Sequence, residues 1–345
     1  MAVAIALTTL TAGCASSGPR SVIVSSLAPA PAAPIASTVV ASTSGSSVAA
    51  STGAERPSGS STSAAPAGPA PSSAAPCGHG GAAPSTYDHV VWIWMENHRA
   101  DQVIGTDGAP YETGLASTCG QATDYREVGS PSLPNYIAAT SGGTQGIDDD
   151  APPTSHRLTV DNLFRQVRAS GRRAVSYQDA MPSPCALTNH ATYAVKHNPA
   201  AYYQGADDRA ACERDNVALG AIDAGAFHDA LATDTLPAFS FVTPDLCNDT
   251  HDCSVAKGDE WLAAFVPTIL DSAAYRAGRT VVFLAWDEET PMPFVAIAPT
   301  VPAGSAVSTR LDHYALLRST EDMLAITEHL GRAAAAPSLR DGFSL

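Results

Sequence analysis

From about residue 87 the chain alternates short, wholly apolar runs with longer amphipathic ones. The run His89-Val-Val-Trp-Ile-Trp-Met95 is β-branched and aromatic, and after His89 it contains no polar residue. That pattern predicts a strand buried on both faces. The same reading gives strands over 173–177, 238–242, 280–286 and 294–298, with Thr280-Val-Val-Phe-Leu-Ala-Trp286 the clearest. Helical spacing predicts helices over 133–140, 162–169, 260–274 and 313–330. Ser141-Gly-Gly143 stops the first of these and Gly171 the second. Strands alternating with helices predict an α/β domain, a mostly parallel central sheet with helices on both faces. Ligands of such sheets bind beyond the carboxyl ends of the strands, so the polar residues after each apolar run bear on function.

The first 86 residues follow a different pattern. Met1 to Gly13 is a short apolar run ending in Leu10-Thr-Ala-Gly-Cys14, small residues before a cysteine. It reads as a bacterial lipoprotein signal with Cys14 lipidated after cleavage, although no basic residue precedes the run. A plain secretory signal is the alternative, and the run is too short to span a membrane. Residues 15–86 are almost entirely Ala, Ser, Pro, Thr, Gly and Val, with Arg20, Glu55 and Arg56 the charged exceptions. Such a composition cannot bury a core and predicts a flexible tether. The expected organisation is a signal segment over 1–14, a tether over 15–86 and one catalytic domain over 87–345. The protein would be exported, held to the cell membrane by a lipid on Cys14 or otherwise secreted.

Charge and cysteines narrow the picture. The formal net charge is −15, from 34 acidic and 19 basic residues. That excess argues against non-specific nucleic-acid binding and against a basic lipid-docking patch. An anionic substrate must then be met locally, by a metal or by a few cations. The only lysines are Lys196 and Lys257. Setting Cys14 aside leaves Cys77, Cys119, Cys185, Cys212, Cys247 and Cys253, an even set suited to disulfides in an oxidising compartment. Many pairings are possible, and 77–119, 185–212 and 247–253 is the most economical. The rival reading, a zinc site, lacks any C-x-x-C or finger-like Cys/His spacing.

Polar clusters follow three of the predicted strands: Glu96-Asn97-His98, Asp287-Glu288-Glu289, and Asp245 to Cys253 with Asn248, Asp249, His251 and Asp252. Carboxylates and an amide suit Mg²⁺, Ca²⁺ or Mn²⁺, and the histidines also admit Zn²⁺ or Fe. Any one acid could instead be a helix cap or first-turn charge. Asn248, Asp249 and Asp252 could equally shape a loop closed by a 247–253 disulfide.

Seven motifs occur in order: Trp92-Ile-Trp-Met-Glu-Asn97, Ser132-Leu-Pro-Asn-Tyr136, Lys196-His-Asn-Pro199, Asp245-Leu-Cys-Asn-Asp-Thr-His-Asp-Cys253, Gly258-Asp-Glu-Trp-Leu262, Trp286-Asp-Glu288 and Asp312-His-Tyr314. Together they resemble the bacterial phosphoesterase family of secreted acid phosphatases and phosphatidylinositol-phosphate phosphatases, with phospholipases C as more distant members. The resemblance runs from about Asp88 to Leu330. It implies an alkaline-phosphatase-like α/β/α sandwich and an acid-phosphatase-like phosphomonoesterase acting on small-molecule or lipid phosphate esters. It makes Ser132 the nucleophile that becomes a phosphoserine. Glu96, Asn97, Asp287 and Glu288, with the oxygen of Ser132, correspond to a divalent-metal site. His197 and His251 correspond to active-site histidines, and His313 is carried over as a substrate-binding group. The stretch from Trp286 to Phe294 is shorter than the glycine-containing loop of many members. The enzyme is expected to act as a monomer and to touch a membrane only through Cys14.

Elementary chemistry agrees. A serine hydroxyl is a weak nucleophile at neutral pH, and a coordinated cation stabilises its alkoxide. Phosphoryl transfer asks mainly for positioning and neutralised oxygens, which a metal, Lys196 and histidines would supply. A histidine of ordinary pKa, about 6.5, favours activity on the acid side. Ser132 also reads as a helix N-cap before Leu133-Pro134, compatible with a phosphate seat at the helix start. The alternatives are a phospholipase C-type phosphodiesterase and a non-catalytic surface lipoprotein. A Ser-His-Asp esterase lacks its G-x-S-x-G elbow.

Overall fold

The computed structural model describes residues 71–345; the expected signal segment, Cys14 and the tether as far as residue 70 lie outside them. Among the described residues the strands are β1 (His89–Met95), β2 (Gly120–Ala122), β3 (Tyr125–Arg126), β4 (Ala174–Gln178), β5 (Asn216–Ala218), β6 (Phe239–Thr243), β7 (Thr280–Trp286), β8 (Phe294–Ile297), β9 (Ser305–Val307) and β10 (Leu311–Asp312). Eight form one sheet in the order β5-β4-β6-β1-β7-β8-β2-β9, and β10 pairs separately with β3. The block β5-β4-β6-β1-β7 is parallel throughout. Only β8 runs against its neighbours in this sheet. At the centre, Val90 of β1 lies opposite Phe239 on one side and Val281 on the other.

Every residue of β4, β6, β7 and β8 is buried, and in β1 all but His89. Successive strand residues point to opposite faces, so complete burial means that both faces are covered. Helices do this in two groups. One packs Pro110–Thr118 and Ala226–Ala232 against Val255–Leu270; the other packs Leu163–Ala169 and His313–Met323 against Ser132–Ser141. Between strands and helices Trp92 meets Phe239 edge-on at 4.9 Å and Trp94 stacks on Phe241 at 5.5 Å, arrangements that aromatic quadrupoles favour.

The predicted elements are present with shifted ends. The helix expected over 313–330 stops at Met323. Ala325 takes a left-handed φ of 53°, and the Leu324 carbonyl is capped by the Arg172 guanidinium. The helix expected over 260–274 starts at Val255, ends at Leu270 and is followed by a separate turn, Ala273–Arg276, capped by Ser272. Gly258 lies inside it, where a Cβ would come 2.2 Å from Thr250 Cγ2. That glycine permits close packing against the polar loop after β6.

Residues 71–86, expected to be tether, are fastened to the domain. Cys77 is bonded to Cys119, and Ser73 Oγ donates to Asp271 at 2.7 Å. Tyr275 donates to the Pro76 carbonyl at 2.6 Å, and Arg340 to the carbonyls of Ser85 and Pro84 at 2.9 and 2.7 Å. Residues 71–86 are thus packed with the domain that follows them. The other two disulfides of the economical pairing, 185–212 and 247–253, also form.

Candidate active site

Because β4, β6, β1 and β7 are parallel, their carboxyl ends share one edge of the sheet. Backbone bonds continue past the strand ends. Asp287 N–H donates to the Met95 carbonyl at 3.1 Å, and Glu96 N–H to the Asp249 carbonyl at 2.9 Å. The three polar clusters of the sequence thereby converge.

Ser132 opens the Ser132–Ser141 helix and is fully buried. Asn135 pins the preceding loop: its Oδ1 accepts the Val128 and Gly129 amides at 3.0 Å each, and its Nδ2 donates to the Gly129 carbonyl at 2.8 Å. The N-cap position is Pro131, not Ser132, and makes no side-chain bond. Asp150 Oδ1 caps the helix instead, accepting the Leu133 amide at 3.0 Å. The hydroxyl of Ser132 is thus free for other partners. It lies 3.1 Å from Glu96 Oε2, 3.4 Å from Glu288 Oε1 and 3.4 Å from Lys196 Nζ. One turn on, on the same helix face, Tyr136 donates its hydroxyl to Glu96 Oε1. Asn97 Nδ2 donates to Glu288 Oε1 at 3.4 Å.

The turn Val195–His197 delivers Lys196 and His197 from the other side. Lys196 Nζ sits 3.0 Å from Asp150 Oδ2 and 3.2 Å from His251 Nε2. The ring of His197 stacks on Tyr136 at 5.2 Å. Its Nε2 lies 3.2 Å from Glu96 Oε1 and its Nδ1 3.2 Å from Asp249 Oδ2, neither aligned as a hydrogen bond. His251 rides on the loop closed by Cys247–Cys253, its Nδ1 2.7 Å from Asp252 Oδ1.

His313 departs from expectation. It is wholly buried, with Nε2 2.7 Å from the Asp287 carbonyl and Nδ1 3.0 Å from the Tyr125 hydroxyl. A neutral ring that donates through Nε2 and accepts through Nδ1 satisfies both partners. With both nitrogens engaged it holds the backbone of Asp287 and has none left for a substrate. The short turn between β7 and β8 is also tied down: Arg99 donates to the Thr290 carbonyl at 2.6 Å and the Glu127 amide to Thr290 Oγ1 at 3.1 Å.

The electrostatics of the cluster are severe. Glu96, Asp249 and Asp287 are each 0% exposed. Burial pushes all three carboxyls well above the usual range, and their mutual repulsion adds to it, Asp249 on Glu96 and Glu96 with Glu288 on Asp287. Burial also raises the half-buried Glu288. Burial works against the Lys196 ammonium, yet Glu96 and Asp150 outweigh it and raise its pKa. Burial drives His197 well down, helped by Lys196 and His251, and drives His313 down to about 4. Both oxygens of Asp287, Asp249 Oδ2 and His197 Nε2 are buried without a hydrogen-bond partner. Orphaned buried acceptors are costly unless a cation or donor meets them. Two sets converge, Glu96 with Asp287 and Glu288, and Glu96 with His197 and His251, the ligand atoms of each within 4.8 Å of one another. The residues fit a divalent cation, carboxylate-rich on one side and histidine-bearing on the other.

A profile of the Phosphoesterase family matches residues 109–292, more than half of the chain. The chain belongs to the Phosphoesterase family. The matched span holds Ser132, Lys196, His197, His251, Asp287 and Glu288, while Glu96, Asn97 and His313 flank it. This phosphoesterase is a hydrolase, and its relatives are phosphatases by name. It is 26% identical over 270 residues to a phosphatidylinositol-3-phosphatase of Mycobacterium tuberculosis, covering 76% of this chain and 85% of that one. It is 29% identical to an acid phosphatase of Aspergillus fumigatus over 57% of this chain and 44% of the relative, so it spans less than half of that protein. An alkaline phosphatase superfamily protein from Vibrio parahaemolyticus shares the fold, with a TM-score of 0.50, 12% identity and coverage of 75% and 72%.

The sequence singled out most of these groups but not Asp150, and it left Asp249 open between a ligand and a loop former and Tyr136 without a role. Their side-chain partners, Glu96 for Tyr136, Lys196 for Asp150 and His197 for Asp249, are 40 to 52 residues away, where local pattern carries no signal. The acidic run Asp148-Asp-Asp150 was the only local hint.

Proposed function

We propose that the phosphoesterase is an exported phosphomonoesterase in which Ser132 carries the phosphoryl group between attack and hydrolysis. The observation that supports this best is the seat of Ser132. A buried serine at a helix start holds its Oγ within 3.4 Å of two carboxylates and one ammonium. The names of the relatives favour monoesters. The relative matched over most of both chains acts, by its name, on a phosphoinositide, which makes such lipids the finer candidate substrate.

Lys196 meets the phosphoryl oxygens, the one nearby ammonium that neutralises them in an acidic molecule. Ser132 Oγ attacks phosphorus while its proton passes to Glu96 Oε2, 3.1 Å away. The bond from phosphorus to the leaving oxygen breaks, and that oxygen takes a proton from His251, whose ring Asp252 orients through Nδ1. Water then attacks the phosphoserine and gives its proton to the now neutral His251, the P–Oγ bond breaks, Oγ regains its proton from Glu96, and inorganic phosphate leaves. His197 holds Glu96 and Asp249 apart at 3.2 Å from each. A divalent cation held by Glu96, Asn97, Asp287 and Glu288 with Ser132 Oγ would stabilise the alkoxide and spread the phosphoryl charge. The disulfides are those of a protein folded in an oxidising compartment, and anchoring through a lipid on Cys14 belongs to the same reading.

Replacing Ser132 with Ala tests this. Hydrolysis of an aryl phosphate should fall by roughly a thousandfold or more while the melting temperature stays near that of the parent. Full turnover in Ser132→Ala ends the reading. In the same assay phosphatidylinositol 3-phosphate should outrun phosphatidylcholine, and the reverse order would make the enzyme a phospholipase C.

A further inference from the structure

One carboxylate joins two parts of the site that reach it from distant stretches of chain. Asp150 Oδ1 accepts the Leu133 amide, next to Ser132, at 3.0 Å, and Asp150 Oδ2 accepts from Lys196 Nζ at 3.0 Å. The same ammonium lies 3.4 Å from Ser132 Oγ and 3.2 Å from His251 Nε2. The first amides of a helix have no partner within it, and Pro131 at the cap position of this one makes no side-chain hydrogen bond. Asp150 therefore fixes the start of the nucleophile's helix and the tip of the lysine that faces it. Lys196 and Asp150 are 18% and 29% exposed, buried enough for the contact to be held and open enough for a phosphate to arrive.

We propose that Asp150 is a positioning residue for phosphoryl transfer, holding Lys196 against Ser132 before substrate binds. The proposal rests on the roles given to Ser132 and Lys196 above. An ammonium on a flexible four-carbon stem loses much rotamer freedom when it grips a phosphate. A carboxylate that has already fixed it removes that cost from the transition state. If Asp150 instead merely plugged the anion seat, removing it would tighten phosphate binding and speed turnover.

The test compares the parent with Asp150→Asn, Asp150→Ala, Lys196→Met and the Asp150→Ala/Lys196→Met double variant. For each, kcat and KM on an aryl phosphate, the inhibition constant of inorganic phosphate and the melting temperature are measured. Asp150→Ala should lower kcat/KM about 10- to 100-fold, and the double variant should be no slower than Lys196→Met alone. Asp150→Asn keeps an acceptor for the Leu133 amide, so it should melt like the parent yet lose most of the same activity and bind inorganic phosphate more weakly. Independent, multiplying losses in the double variant, parental activity in Asp150→Asn, or tighter phosphate binding in either Asp150 variant would each overturn the proposal. Failure of the Ser132 reading shows separately, as turnover in Ser132→Ala.

Discussion

Asp287 poses the hardest electrostatic problem of any single residue at the site. Both its oxygens are buried without partners, and Glu96 and Glu288 repel its charge. A cation would solve this and its removal would expose it, so the sign of a substitution should depend on metal. In chelator, Asp287→Asn should melt above the parent, because an amide has no charge to bury or to neutralise on folding. With a saturating divalent metal the parent should gain about 3 kcal/mol, the variant little, and the variant's hydrolysis should be lost. Thermal scans with and without chelator check this; a variant that melts below the parent in chelator contradicts it. At this scale the sequence was legible where a residue sits in a local motif, beside a strand end for Glu96 and Asp287 and at a helix start for Ser132. It was not legible for Asp249 or Asp150, whose meaning lies in a partner elsewhere in the chain. Nor does Asp312-His313-Tyr314 give any sign that both ring nitrogens of His313 turn inward.

Among the elements, β1 and β7 match their predicted spans because each is a continuous apolar run buried on both faces. The short strands β2, β3, β5, β9 and β10 have two or three residues each, too few for any periodicity to show. The Pro110–Thr118 helix, also absent from the pattern, supports the site from behind. Its buried Glu112 accepts the indole N–H of Trp286, the last residue of β7 before Asp287, at 2.9 Å. Burial pushes Glu112 up to about 8. The folded state thus holds a proton that the unfolded chain releases near pH 4.5, and stability present below that pH is lost as pH rises towards 8. Glu112→Gln keeps a carbonyl for the indole and removes the titration. Its stability relative to the parent should rise from pH 5 to pH 8 by on the order of 4 kcal/mol at most. Denaturation curves at the two pH values measure the gap, and a gap that stays constant is the wrong result.

For the molecule as a whole, alternation of apolar and amphipathic runs was enough to give a mostly parallel sheet, and an even cysteine set was enough to give three disulfides. The fastening of residues 71–86 was not visible. Residues 71–86 share the composition of what precedes them, and what fastens them is a disulfide and backbone carbonyls. A net charge of −15 also means that anionic substrates are not drawn in from a distance; in the proposed mechanism capture falls to Lys196 and a bound cation. The account turns on a covalent phosphoryl group at Ser132. Its most direct test is to mix the metal-loaded enzyme with excess aryl phosphate, quench in acid within the first turnovers and map the phosphorylated peptide by mass spectrometry. One phosphoryl group on Ser132, absent from Ser132→Ala, is the predicted result. Rapid turnover with the group on another residue, or with no phosphorylated peptide at any quench time, would contradict it.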